Sequence, residues 1–352
     1  MKKLLLVYAI ACAKIVISSA AAEEAAPNYE LKAIALPGAN GAVALDYFAY
    51  DPTTGKVWVP ASNLGSVVVI DEKTDAVSQV AGFKTGEIER RGRKVTLGPT
   101  AASIGDGVVY IGNRGDATLC VIDAKSLARG ECVPVSTDHS ITPDGVLYVA
   151  AAKEVWITTR PVSTANAEAA KALQVFDASD PRHLKWKAKV PLDGLGEGYA
   201  ADNGRGLFYT NVEGPSSTVA VDVRTKKIVS KWNPGSADVG GLALDSVRGF
   251  LFVACGDHVV NLDAGHDGKI LDSIQTGAGL DNIDYSAEKK IIYAAASQAA
   301  TLTIAEVGDD GKFHLKATVP AVKGARSVVA AKDETAYLIN PAEGRMLKLM
   351  RK

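Results

Sequence analysis

The chain has few of the residues that enzymes use most. Of 352 residues, only five are histidine, four are cysteine and three are methionine. His139, His183, His258, His266 and His314 are scattered, without the close pairs from which zinc sites are built. There is no GxSxG turn, no HExxH helix and no P-loop, which excludes the nucleophile elbow, the helical zinc hydrolase and the phosphate-cradling loop. No CxxCH stretch occurs, so a redox role would be that of a partner rather than a haem carrier. Neither sign of charge is in excess. Lys and Arg number 39 and Asp and Glu 40, a net charge of −1, so no global field draws the protein to nucleic acid or to an anionic membrane. Basic residues concentrate only at Lys84, Arg90, Arg91, Arg93 and Lys94, without a basic groove interleaved with aromatics, and nucleic acid is not an expected partner. Beyond the N-terminus no apolar run reaches the ~20 residues of a membrane helix.

The N-terminus, MKKLLLVYAIACAKIVISSAAAEE, combines two lysines, an apolar run and a stretch of small residues ending near Ala20 to Ala22. This is the pattern of a secretory signal peptide over residues 1–22 and implies export to the periplasm or beyond. Lys14 interrupts the apolar run, and Ala9-Ile10-Ala11-Cys12 resembles a lipoprotein cleavage box, so a lipid anchor on Cys12 is the lesser alternative. Cys120 and Cys132 fall on two runs that read as neighbouring antiparallel strands joined by a turn. An oxidising compartment permits a disulfide there, and two buried thiols are the other outcome. Cys255 stands alone in an apolar strand with nothing beside it to activate a nucleophile.

What the chain does have is a recurring phrase. KVWVPASNLGSVVVID (56–71) returns as VVYIGNRGDATLCVID (108–123), LFYTNVEGPSSTVAVD (207–222) and FLFVACGDHVVNLD (250–263). Each is two alternating apolar runs around a polar break, closed by an acid. Aligning the closing residue gives Asp71, Asp123, Asp177, Asp222, Asp263, Glu306 and Met350, which makes seven units of the length of a propeller blade. Each unit holds several short strands and no helical period, so the expected fold is all-β, a seven-bladed β-propeller over residues 28–352. Fourth strands can be counted for only six units, the last unit ending at RMLKLMRK. NYELKAIALPG (28–38) matches the pattern of the missing strand and would close the ring, removing two exposed sheet edges. An Asp ending a third strand is expected to cap its own turn, and Trp58 and Trp156 to fill the core.

FAYDPTTGKVWVPASNLGSVVVID resembles the repeat of the YVTN-type β-propellers, and FYTN (208–211) comes closest to their namesake tetrapeptide. The resemblance spans residues 28–352 and implies the propeller fold. It implies no single activity, since such propellers include periplasmic binding proteins, companions of redox enzymes and surface-layer proteins.

Residues at equivalent positions on the inner strands of a propeller form a ring at one height. Three residues before the small residue of each first strand stand Asp46, Thr100, Asp144, Glu197, Gly240, Asp281 and Ser327. Four of these are carboxylates, which marks this mouth as the candidate site. Converging acids must take up a proton, bind a cation or recruit arginine, with Arg326 and the basic loop 84–97 as the available counter-charges. All-oxygen ligands favour Ca²⁺ or Mg²⁺. Widely spaced, hydrated acids are the plain alternative. Loop 84–97 is long enough for a flap, and 160–172 should emerge on the same side. The expected function is an exported binding or scaffold protein that takes a small ligand or a protein partner at this mouth. A second reading resembles the gluconolactonase and regucalcin-like propellers. That resemblance implies a divalent cation on Asp46, Glu197 and Asp281, Asn282 as a further oxygen donor and Asp144 as general base in a lactonase or esterase. A third is an accessory subunit of a periplasmic redox enzyme.

Overall fold

The alternation of branched and aromatic residues with polar ones builds seven four-stranded antiparallel sheets arranged as a β-propeller. The computed structural model describes residues 28–90 and 93–352. Residues 1–22, read as a signal peptide, and Cys12 with them, lie outside the described residues. The inner strands are Ala49–Asp51, Pro99–Gly105, Ile141–Val149, Gly196–Asp202, Leu242–Asp245, Leu280–Ser286 and Val328–Ala330, for blades 1 to 7. In blade 7 the outermost strand is the N-terminal Tyr29–Ala35, paired antiparallel with Arg345–Arg351 from Tyr29↔Arg351 to Ala35↔Arg345. The ring therefore closes as the strand count requires.

One aromatic from each second strand fills the space between blades: Trp58, Tyr110, Trp156, Tyr209, Phe252, Tyr293 and Tyr337, all fully buried. The acids that end the third strands fold their own turns. Asp71 accepts from the N–H groups of Lys73 and Thr74, Asp123 from Lys125 and Ser126, and Asp222 from Thr225. Cys120 and Cys132 stand opposite each other in blade 2 and are joined as a disulfide. Cys255 is buried and free, its thiol pushed up to about 11, chiefly by burial.

Segment 84–97 is a hairpin, Gly86–Arg90 against Arg93–Leu97, rather than an open flap. Its base presses on the turn of blade 2 so closely that a Cβ on Gly115 would stand 2.2 Å from the Lys84 carbonyl oxygen. Only glycine permits that approach.

Candidate functional site

The inner strands do not run evenly through the ring position. The pairing of first and second strands slips between Pro99 and Ala101, Pro143 and Val146, Glu197 and Ala200, and Leu280 and Ile283. Such bulges re-aim side chains, and these occur where Thr100, Asp144, Glu197 and Asp281 stand. Bonds between blades fix the height of the ring. Tyr47 N–H donates to the Thr100 carbonyl, Gly241 N–H to that of Asp281 and Asn282 N–H to that of Arg326. In each case the residue after one ring position reaches the ring position of the next blade. The seventh member is therefore Arg326, not Ser327 as the sequence spacing suggested. Strand pairing agrees, because Val329 faces Tyr337 as Ala49 faces Trp58.

A cation thus stands among the acids, and two more join it. Arg326 bonds Asp46 at 2.9 Å and also bonds Asp281. Arg114, from the turn after the second strand of blade 2, meets Asp144 at 3.1 Å. Arg160, at the base of the 160–172 insertion, meets the other Asp144 oxygen at 3.1 Å, Glu213 at 3.2 Å, and Glu197, which also accepts from the Tyr47 hydroxyl. Lys94 of the hairpin pairs with Glu87 instead. The four predicted acids are accordingly brought to one end of the channel and answered by three arginines. Arg114 and Arg160 escaped the sequence reading. Their signal was the polar end of the second strand, where an arginine follows or closes the strand in NRGD (113–116) and TTRP (158–161).

Five acids against three arginines leave carboxylate in excess, and burial decides how the excess is carried. Asp46 is pushed up to about 6, first by burial and then by Asp144 and Asp281, against the pull of Arg326. Glu213 is also raised, chiefly by burial. The acids in turn hold their cations charged. Arg326 is raised, first by Asp46 and then by Asp281. Burial works against the charge on Arg160, and Asp144 and Glu213 more than offset it. Among the described residues no group of three or more His, Cys, Asp or Glu side chains is arranged to hold a metal ion.

Behind this layer lies a chamber of about 660 Å³ on the channel axis. Asp46, Asn282 and the tilted ring pair Tyr47 and Tyr199, 5.2 Å apart, form its inner end. A smaller cavity of about 210 Å³, lined by Thr100, Arg114 and Arg326, lies on the other side of Asp46, so the charged layer acts as a partition. At the far end the chamber reaches the exposed turns at Thr53, Asp106 and Asn203. Of the predicted site residues, Asp46 and Asn282 line the chamber. Asp144, Glu197, Asp281 and Arg326 belong to the partition.

A second ring, three residues beyond the first, forms the chamber wall: Ala49, Ser103, Leu147, Ala200, Ala243, Asp284 and Val329. Each pairs with the buried aromatic of its blade. Six are uncharged, and Asp284 is the exception. It accepts the N–H groups of Tyr285 and Ala330, both at 2.8 Å. No Lys, Arg or His among the described residues pairs with it. Burial pushes it up to about 6.

Comparison with known proteins agrees with this architecture. A chain in the crystal structure of the mitotic checkpoint complex superposes with a TM-score of 0.68 at 12% identity, covering 100% of this chain and 99% of its own. The WD40 repeats of RRP9 give 0.67 at 9% identity, over 92% and 97%. A chain of Kuenenia stuttgartiensis hydrazine synthase gives 0.67 at 15%, over 90% and 96%. These neighbours share the propeller fold. At such identity they carry no more than that. No family model and no curated protein matches the chain.

Proposed function

We propose that this is an exported propeller that binds a small ligand in its central chamber, entered from the face opposite the ionic partition. The observation that carries the reading is the chamber itself. Its volume of about 660 Å³ falls within the usual span of ligand pockets, roughly 300–1,000 Å³. It is closed at one end by paired charges and walled by a ring of mostly small residues that leaves the axis open. The signal-like N-terminus and the disulfide support export to the periplasm, and the YVTN-like repeats fit a periplasmic binding role. The test is a melting-temperature screen with small amines, sugars and carboxylates, repeated on Ala243→Trp, which projects an indole into the chamber from its wall. Stabilisation by a compound in the parent, lost in the filled variant, is expected. Shifts that survive the filling would place binding elsewhere.

Docking of a protein is the second reading. Trp186, Ile228, Ile270 and Leu315 occupy one register on the outer strands of four consecutive blades, each opposite the residue before the third-strand acid, and all are exposed. A periplasmic redox enzyme is one such partner. Co-purification that is lost in Trp186→Lys plus Leu315→Lys would support this face. The metal-dependent lactonase reading requires Ca²⁺ or Mg²⁺ to displace Arg326 from Asp46 and Asp281. Calcium titration with a melting readout tests it, a dose-dependent shift abolished by Asp46→Asn being its signature.

A further inference from the structure

We infer that Asp284 is the anchor for a positively charged ligand, a small alkylammonium whose charge meets this carboxylate while its hydrocarbon lies along the apolar chamber wall. The inference rests on the chamber reading and names its ligand class.

Three observations lead to it. Asp284 occupies the wall position that the other blades give to Ala49, Ser103, Leu147, Ala200, Ala243 and Val329, so packing does not require a charge there. Its two accepted N–H bonds fix the carboxyl group but leave it without a cation, whereas every acid of the partition has an arginine. A half-buried carboxylate on the chamber wall, left without a cation, favours either a proton or a cationic guest. The remaining wall sets the rest of the ligand. Leu147, Ile283, Leu244 and Val329 offer apolar contact, and the faces of Tyr47 and Tyr199 at the inner end suit a cation or its alkyl substituents.

Other ionisable groups around the chamber are Asp46, Tyr47 and Tyr199 at the inner end, Tyr148, and Asp51, Asp106, Tyr50 and Lys125 toward the open end. Tyr293 packs beside Asp284 from the second strand of the same blade. Tyr148 donates to Asp106 and Tyr50 to Glu72. Asp46 is occupied by Arg326. Asp51, toward the open end, accepts the Thr53 N–H and the Thr54 hydroxyl within its own turn, so Asp284 is the carboxylate of the wall ring that remains for a guest.

The experiment titrates n-butylammonium, 1-butanol and butyrate into the mature protein, with binding read by saturation-transfer NMR. The proteins are the parent, Asp284→Asn, Asp284→Ala and Ala243→Trp, each first shown to melt cooperatively. Butylammonium should bind the parent at pH 7.5 and bind at least tenfold more weakly to both Asp284 variants. It should also bind the parent more weakly at pH 5, with no such pH dependence in Asp284→Asn. Butyrate should bind least. Equal butylammonium binding by the parent and the Asp284 variants would overturn the anchor, and the chamber reading would stand if Ala243→Trp still blocked the probes. Probe binding undiminished in Ala243→Trp would sink the chamber reading. No binding of butylammonium to the parent would also overturn the anchor.

Discussion

Arg160 touches three carboxylates at once, those of Asp144, Glu197 and Glu213, and no other residue of the partition does so. Replacing it with Met leaves Asp144 and Glu197 buried without that partner, and breaking such a network costs about 3–5 kcal/mol. The sign with pH follows. Removing the guanidinium leaves buried like charges that repel one another, and acid relieves that repulsion, so the lost stability returns as pH falls. Denaturant melts should show the deficit at pH 7.5 and its shrinkage toward pH 5, and a pH-independent deficit would mean packing, not charge, is lost. Asp284 gives the converse case. Its folded value of about 6 lies above the ordinary 3.8, so it destabilises the fold once pH rises through that range. Asp284→Asn should therefore be more stable than the parent above pH 6, by up to about 3 kcal/mol, and no more stable below pH 4. Denaturant melts at the two pH values check it, and equal stability of the two proteins at pH 8 would count against an unpaired charge. Both residues show what a sequence withholds. The acids of the ring were legible because they recur at one spacing. Arg114 follows the second strand of blade 2 and Arg160 lies at the end of the second strand of blade 3, and strand pairing within blade 3 and packing of adjacent blades put them beside the acids. Asp284 was legible in principle, as the one charge at a position of small residues.

Among the elements, the strands of the blades were readable because apolar alternation and turn-forming Gly and Asp agree with each other at every blade. The charges of segment 84–97 suggest a loop, although Gly-Glu-Ile-Glu and Lys-Val-Thr-Leu alternate, and the structure pairs them. What the pattern does not contain is the anchoring contact at Gly115, which belongs to another blade. Gly115→Ala should force the hairpin base away from the blade 2 turn and destabilise the protein by about 1–3 kcal/mol, as overpacked sites do. Faster proteolysis within 84–97 would be the accompanying sign, and unchanged cleavage would show that the base tolerates a methyl group. The disulfide acts on the same blade. It closes a loop over a sequence separation of 12, so replacing both Cys120 and Cys132 with Ser should cost about 3 kcal/mol on the chain-entropy account. A melting temperature equal in oxidised parent and double mutant would count against that account here.

At the scale of the whole molecule, the number of strands decides how the ring closes. Seven third strands and six fourth strands leave one sheet edge without a partner, and the only matching run stands at the opposite end of the chain. The structure pairs Tyr29–Ala35 with Arg345–Arg351 over seven residues, and buries Tyr29, Ile34 and Leu36 in doing so. The Tyr29 hydroxyl also donates to Glu334 at 2.7 Å, and Lys32 reaches Asp75 of blade 1 at 2.7 Å, so the strand ties the last blade to the first. The ring is therefore held shut by contacts between chain ends, which close last in sequence terms and carry a large loop-closure cost. Removing residues 28–38 takes away the strand, its buried side chains and the cross-blade ion pair together, and exposes the backbone edge of Arg345–Arg351 to pairing with other chains. The truncated protein should lose cooperative melting and aggregate at concentrations where the full-length chain is monodisperse. Adding the 28–38 peptide in excess should restore part of the melt, since the vacated edge is its binding site. A truncated protein that melts cooperatively near the full-length temperature would show that six complete blades and one short of a strand hold the ring without it.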